Sequence, residues 1–322
     1  MANIKALRQN PRVRAQFIIA AVLLSLFVAM HFVSGFKLLS PGNVKLLITQ
    51  SVFPAFVSWG MMFIFTSGIV DLSVGANCIL SANVGVLLAQ YLGLGYPGLI
   101  LGTVLAAVAL EQLTIFCAVT LKIPSWIAGL GMALVMESAT TVGLSAYLSG
   151  TNILWLDEYR ALGTFPAMLA ALILGAAVSM LISDRTAIGC NIRAVGGSPH
   201  VSGAMGIDAK RTVILGAVIG AAFFGIGSVF QVSYASKFIP VAGLGSLSTI
   251  FNPLAVVLLS GSFARYINTS VGVLVGSVLV TSIFNMLTLL GVPSGTWQQI
   301  LLGAIVVTCG MISGVHTKGV VK

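Results

Sequence analysis

Ten apolar stretches, each near the length a helix needs to cross a lipid bilayer, follow one another along 322 residues with short polar connections between most of them. They run over 16–36, 45–66, 74–94, 97–120, 125–149, 163–183, 212–236, 246–261, 268–290 and 297–315. A hydrocarbon core about 30 Å thick takes about 20 helical residues per crossing, and lipid admits only backbones that satisfy their own hydrogen bonds: helices and closed barrels. Barrel strands alternate apolar and polar residues, whereas 167–182 and 301–312 are apolar almost all round, so the stretches predict helices. Mean hydropathy is +1.08 and charged residues make up 7% of the chain, against about 25% in soluble domains. The fold class this implies is all-α: a polytopic membrane helix bundle of about ten transmembrane helices, forming one membrane domain over 1–322. No connection is long enough for a soluble domain of about 50 residues.

The first stretch follows Lys5, Arg8, Arg12 and Arg14, which raises the alternative of a cleaved secretory leader. It is as long as a full span and no small-x-small site follows it, so it reads as the first membrane helix. With ten spans both termini share a side. Placing them in the cytoplasm puts twelve Lys and Arg inside (Lys5, Arg8, Arg12, Arg14, Lys122, Arg185, Arg193, Lys210, Arg211, Arg265, Lys318, Lys322) and four outside (Lys37, Lys45, Arg160, Lys237). That asymmetry is the positive-inside pattern. It also accounts for the net charge of +9 without a nucleic-acid partner, because the basic residues are scattered over connections between spans.

Several features define what the chain can do. The small-residue run Gly216-Ala217-Val218-Ile219-Gly220-Ala221-Ala222 suits close helix packing. Cys78, Cys117, Cys190 and Cys309 lie far apart without metal or redox spacing and read as small buried hydrophobes. His31, His200 and His316 are too scattered for a metal site, and no P-loop, H-E-x-x-H or G-x-S-x-G motif occurs. The expectation is therefore a non-enzyme that binds no cofactor or metal itself; if ATP drives it, another chain holds the ATP and Mg. The segment 151–163, with Trp155, Asp157, Glu158 and Arg160, fits either an amphipathic segment at the membrane interface or a plain loop. Ile123-Pro124-Ser125-Trp126 is echoed by Val292-Pro293-Ser294-Gly295-Thr296-Trp297 on the opposite side, as an inverted repeat would be.

Asp71, Glu111 and Glu137 are the acids within or near spans. Intramembrane carboxylates could couple transport to protons or sodium, although no basic residue lies deep in a span to pair with them. The alternative for Glu111 and Glu137 is a protonated or hydrogen-bonded carboxyl between helices. The densest polar signal is Thr66-Ser67-Gly68-Ile69-Val70-Asp71-Leu72-Ser73-Val74-Gly75-Ala76-Asn77. There Asp71 or Ser73 could cap the helix beginning near Val74, and Asn77 and Asn83 could offer hydrogen bonds to hydroxyl groups of a solute. Asn252-Pro253 predicts a polar break in a span. Gln231 and Asn285 complete the candidate substrate pathway of Asp71, Ser73, Asn77, Asn83, Gln231, Asn252 and Asn285.

Three segments in order resemble the permease subunits of ABC importers of the ribose, xylose, arabinose and galactoside type. Ser67-Gly68-Ile69-Val70-Asp71-Leu72-Ser73-Val74-Gly75 is similar to the family's Gly-Ile-Asp-Leu-Ser-Val-Gly. Gly189-Cys190-Asn191-Ile192-Arg193-Ala194-Val195-Gly196-Gly197-Ser198-Pro199, with Ser202-Gly203 and Gly206-Ile207, is similar to its cytoplasmic Gly-x-x-x-x-Ala-x-Gly-Gly motif. Ile123-Pro124-Ser125-Trp126-Ile127-Ala128-Gly129-Leu130-Gly131 is similar to Val-Pro-Pro-Phe-Ile-x-Thr-Leu-Gly.

The resemblance implies import of a small polar solute, most often a monosaccharide, across the cell inner membrane. It also implies separate ABC ATPase subunits, a periplasmic or lipid-anchored solute-binding protein, a second permease copy or paralogous permease, and contact of the permease with membrane lipid. It assigns ATPase coupling to the loop 184–211, at Asn191, Arg193, Gly196, Gly197, Ser198, Pro199, His200, Val201, Ser202 and Gly203, with a short coupling helix from Ser198 to Ala204. Two departures stand out: Ser262-Phe263-Ala264-Arg265-Tyr266-Ile267-Asn268 replaces a glycine-rich stretch, and Glu111, Gln112 and Thr114 lie where the family carries Asn-Gly. They leave open the solute, including a nucleoside or autoinducer sugar, and the pairing of permeases. An ion-coupled secondary transporter is the other class of reading.

Overall fold

The computed structural model describes residues 11–147, 154–156, 158–292 and 295–316. Among them are α1 (Pro11–Val33), α2 (Pro41–Thr66), α3 (Val74–Val86), α4 (Gly95–Thr120), α5 (Ser125–Tyr147), α6 (Phe165–Arg185), α7 (Ala187–Gly197), α8 (Pro199–Ala204), α9 (Ala209–Ala235), α10 (Leu247–Phe263), α11 (Thr269–Leu289) and α12 (Thr296–His316), with no strand among the described residues. Each of the ten apolar stretches coincides with one long helix. Eight are long and apolar enough to cross a membrane, α3 reaching that length through a π turn over Leu87–Tyr91. The apolar helices Leu247–Phe263 and Trp297–Met311 are shorter. The two Pro-Ser echoes fall near the starts of α5 and α12, although Pro293 and Ser294 lie outside the described residues.

The chain divides into two compact units, 1–51 with 255–322, and 52–254. In the first, Met30, Leu38, Leu47 and Leu279 form the buried core. α1 turns mostly large apolar side chains outward, Phe17, Leu24 and Phe32 among them, which is the pattern of a helix solvated by acyl chains. The Ser260 hydroxyl donates to the Thr269 carbonyl (2.7 Å), tying α10 to α11.

In the second unit α4 packs against both α3 and α9, and α3 against α5. Phe56, Trp59 and Phe63 of α2 mesh with Phe223 of α9 at ring separations of 5.8 to 6.1 Å. Gly60 faces Gly220 at this crossing: a Cβ on Gly220 would lie 2.9 Å from the Gly60 carbonyl oxygen, and one on Gly60 would collide with the Gly220 carbonyl and the Phe224 ring. The small-residue run is thus a packing surface, and the two backbones touch because neither residue has a side chain.

Both internal prolines leave their helices continuous. Pro54 lies within α2 and Pro253 within α10, so the break anticipated at Asn252-Pro253 does not form; one missing N–H is tolerated because the flanking turns keep their bonds. The Ser58 hydroxyl is shared between the carbonyls of Pro54 (2.6 Å) and Pro253 (3.0 Å). Over its described part the 151–163 connection is a loop that ends in a 3-10 turn at Ala161–Gly163. Leu154 and Leu156 are buried among α3, α4 and α9 side chains, Trp155 faces out with Lys237 Nζ 3.8 Å from its ring centroid, and the Leu156 amide donates to the Ser236 carbonyl (2.7 Å). Alternate residues point in and out, as in an extended strand; Asp157 lies outside the described residues. The cysteines divide: Cys78 and Cys309 are buried, Cys117 is half-buried, and Cys190 is exposed because its helix lies at the bundle's polar end rather than in a span.

Replacing Gly60 by Leu should cost about 1–3 kcal/mol or more through overpacking, read as a lower thermal-unfolding midpoint in detergent. Leu105→Ala, on an outward-facing position of α4, should leave the midpoint nearly unchanged.

Candidate functional site

The polar signal around Asp71 folds into a sealed cluster. After α2 ends at Thr66 the chain reverses through 67–73, helped by Gly68 at φ +90°, and enters α3. Asp71 accepts from the Ser73 amide at Oδ1 (2.9 Å) and from the Ser73 hydroxyl at Oδ2 (2.9 Å). This closes the turn on itself. It does not cap the helix, because Ser73 makes no side-chain cap bond and Asp71 reaches only the amide preceding α3. Burial pushes the Asp71 carboxyl above its ordinary range, against the opposing pull of the Ser73 donors.

One helical turn on, Asn77 Nδ2 donates to the Ala107 carbonyl (3.1 Å) and to Glu111 Oε2 (3.3 Å) of α4. The Ser73 hydroxyl lies 3.3 Å from that of Thr114, which shares its face of α4 with Glu111 one turn earlier. Asp71, Ser73, Asn77, Glu111 and Thr114 are each at most 1% exposed, so in this conformation they face one another rather than an open channel.

The other pathway candidates lie apart from this cluster. Asn83 is buried, and its Nδ2 is engaged by the carbonyls of Ile79 (2.7 Å) and Phe238 (3.1 Å), pinning the chain after α9 to α3. Gln231 is half-buried on α9. Asn252 is half-buried on α10, with a buried amide oxygen that has no partner. Asn285 belongs to the 1–51/255–322 unit, where its Oδ1 accepts from Asn43 Nδ2 (2.9 Å). Glu137 accepts from the backbone amides of Leu244 (2.9 Å) and Ser246 (2.8 Å), holding the approach to α10 against α5.

The sequence left Glu111 and Glu137 open between solute contact and a hydrogen-bonded carboxyl between helices; both are hydrogen-bonded, Glu111 to Asn77 and Glu137 to backbone amides, partners the sequence did not name. The signal was present for the first: Ser73 and Asn77 at i, i+4 and Glu111 and Thr114 at i, i+3 each mark one helix face.

The segment assigned to coupling is a helical hairpin. Thr186 caps α7 by accepting from the Gly189 amide (3.2 Å), Ser198 caps α8 by accepting from Val201 (3.3 Å) with Pro199 in its first turn, and Asp208 caps α9 by accepting from Arg211 (3.1 Å). Arg193 reaches back to the Ser183 carbonyl (2.7 Å) and to Asp184 (3.5 Å) at the end of α6. Ile192 and Val195 are buried, Val195 in a cluster with Ile115, Val213 and Ala217. Pro199, His200, Val201, Gly203 and Met205 are exposed, Val201 and Met205 by 58% and 72%. The hairpin is seated on the end of α2: a side chain on Gly196 would run into the Thr66 carbonyl, and Gly196 Cα faces Gly68.

Among known proteins, the model of the family described as branched-chain amino acid transport system, permease component, matches residues 43–309. Similar curated proteins include the xylose transport system permease protein XylH of Escherichia coli K12, 24% identical over 90% of this chain and 89% of that protein. The inner membrane ABC transporter permease protein YjfF of the same strain is 27% identical over 80% of each. The galactose/methyl galactoside import permease protein MglC of Haemophilus influenzae is 22% identical over 94% of this chain and 92% of that protein. No solved structure matches. The family match covers α2 through most of α12 and takes in both the Asp71 turn and the α7–α8 hairpin, so the chain, a multi-pass helical membrane protein, belongs to this family of transport-system permease components.

Proposed function

We propose that the chain is the membrane-spanning subunit of an ATP-driven importer of a monosaccharide in the bacterial inner membrane, with both termini in the cytoplasm. The observation that carries this reading is the α7–α8 hairpin: a short capped helix with an exposed apolar tip, buttressed by Arg193 and fitted through Gly196 onto the Asp71 turn. A lever of this kind passes the closure of a soluble partner to the spans behind it. The partner is a pair of separate ATPase subunits, which hold the ATP and Mg and carry out hydrolysis. A solute-binding protein delivers cargo on the far side, and a second copy or a paralogous permease completes the pathway.

The solute class follows from charge. The buried charged residues are Asp71, Glu111 and Glu137, and no Lys or Arg is buried among the described residues. An amino-acid carboxylate desolvated in transit takes a cationic side chain or a helix N-terminus, and the first of these is not among the buried groups. A neutral polyhydroxylated solute needs only the amides and hydroxyls this chain offers. Relatives named for xylose and galactose support the same class.

Two outcomes test the reading. In cells or proteoliposomes with the ATPase and binding protein, uptake of labelled pentose or hexose should stop with vanadate, persist with an uncoupler, and resist competition by leucine; collapse with the uncoupler alone would mean ion coupling. Replacing Pro199-His200 by Gly-Gly should abolish solute-stimulated ATP hydrolysis, while the affinity of the binding protein for sugar is unchanged.

A further inference from the structure

Two buried acceptors in the Asp71 cluster have no donor: Glu111 Oε1 and Asn77 Oδ1. Asn77 turns its amide toward Glu111 through the 3.3 Å bond from Nδ2 to Oε2, so what this pocket lacks is positive charge. The surrounding elements supply none. On the turn itself there is only Asp71; α3 contributes Asn77 and the buried thiol of Cys78; α4 contributes Glu111 and Thr114. From α5, Gly129 closes on Asp71 and Ser125 accepts from the Val70 amide, while Glu137 is engaged by two backbone amides. α9 offers Ser228, and Arg193 of α7 points away to Ser183 and Asp184. Lys122 is exposed.

Two carboxylates buried in one cluster that no cation enters do not both ionise. The two acids are not equivalent. Both oxygens of Asp71 receive donors at 2.9 Å, which stabilises its charge. Glu111 receives one long bond and keeps a bare oxygen.

We propose that Glu111 is a proton-binding site: it carries a proton donated to Asp71, and this bond latches the 67–73 turn to α4. The turn is also the surface on which Gly196 seats the α7–α8 hairpin, so loss of the proton puts two adjacent negative charges beneath that seat and frees the turn.

The seven Asp and Glu of the chain make the test readable by infrared spectroscopy of the reconstituted full-length protein in H₂O and D₂O. Asp184 and Asp208 are ion-paired, Glu158 is exposed, and Glu137 accepts two amides. A carboxylic-acid C=O band at neutral pH, shifted in D₂O, should vanish in Glu111→Gln and persist in Asp71→Asn. Raising the pH should remove the band and speed hydrogen exchange of the 69–73 amides at least tenfold beyond its intrinsic pH dependence, an acceleration absent from Glu111→Gln. Absence of the band from the wild type, its survival in Glu111→Gln, its appearance only when sodium is withdrawn, or unchanged exchange at high pH would each overturn the proposal. The measurement needs neither ATPase nor solute, so its failure leaves the import reading untouched.

Discussion

Exclusion of water from the bilayer interior governs this protein. With no solvent to pair with, backbone groups must bond within their own helix and polar side chains must find protein atoms. Hydroxyls do so by folding back on carbonyls of the preceding turn, as Ser51, Thr103 and Thr140 do, and carboxyls by taking backbone amides, as Glu137 does. The chain leaves the spans at 67–73, at the short helices of 186–208 and around 236–246, among other connections. Those places carry what is specific about the molecule.

The Asp71 turn links parts that are far apart in sequence. It meets α4 through Thr114, α5 through Gly129 and Ser125, and α7 through Gly196. A group that binds so many elements in one place transmits displacement. If the hairpin moves, the turn is the first part of the bundle to feel it. In this conformation the polar groups of the cluster are occupied by one another.

The helices were legible because lipid imposes a length and a composition that survive without knowledge of neighbours. Each of the ten apolar runs coincides with a helix, eight of them long and apolar enough to span, and the boundaries shifted by only a few residues, as at α9, which begins at Ala209 rather than 212. The short helix at 199–204 was legible from Ser198 and Pro199, which are cap chemistry. Partner choice was not. That Asp71 turns to Ser73 instead of capping α3, or that Asn285 is taken by Asn43, depends on which faces meet, and a uniform apolar background hides the faces. Proline misled for a related reason: the rule that it breaks helices describes a chain in water, and here the alternative to a helix with one bond missing is exposed backbone in hydrocarbon.

α1 shows the other side of this constraint. Only 6% of its apolar window is buried, and the family match begins at residue 43, beyond its end. On its outward face such a segment answers to thickness and oiliness, so many apolar side chains serve there equally well. At Gly60 or Gly196 a single methyl group would register.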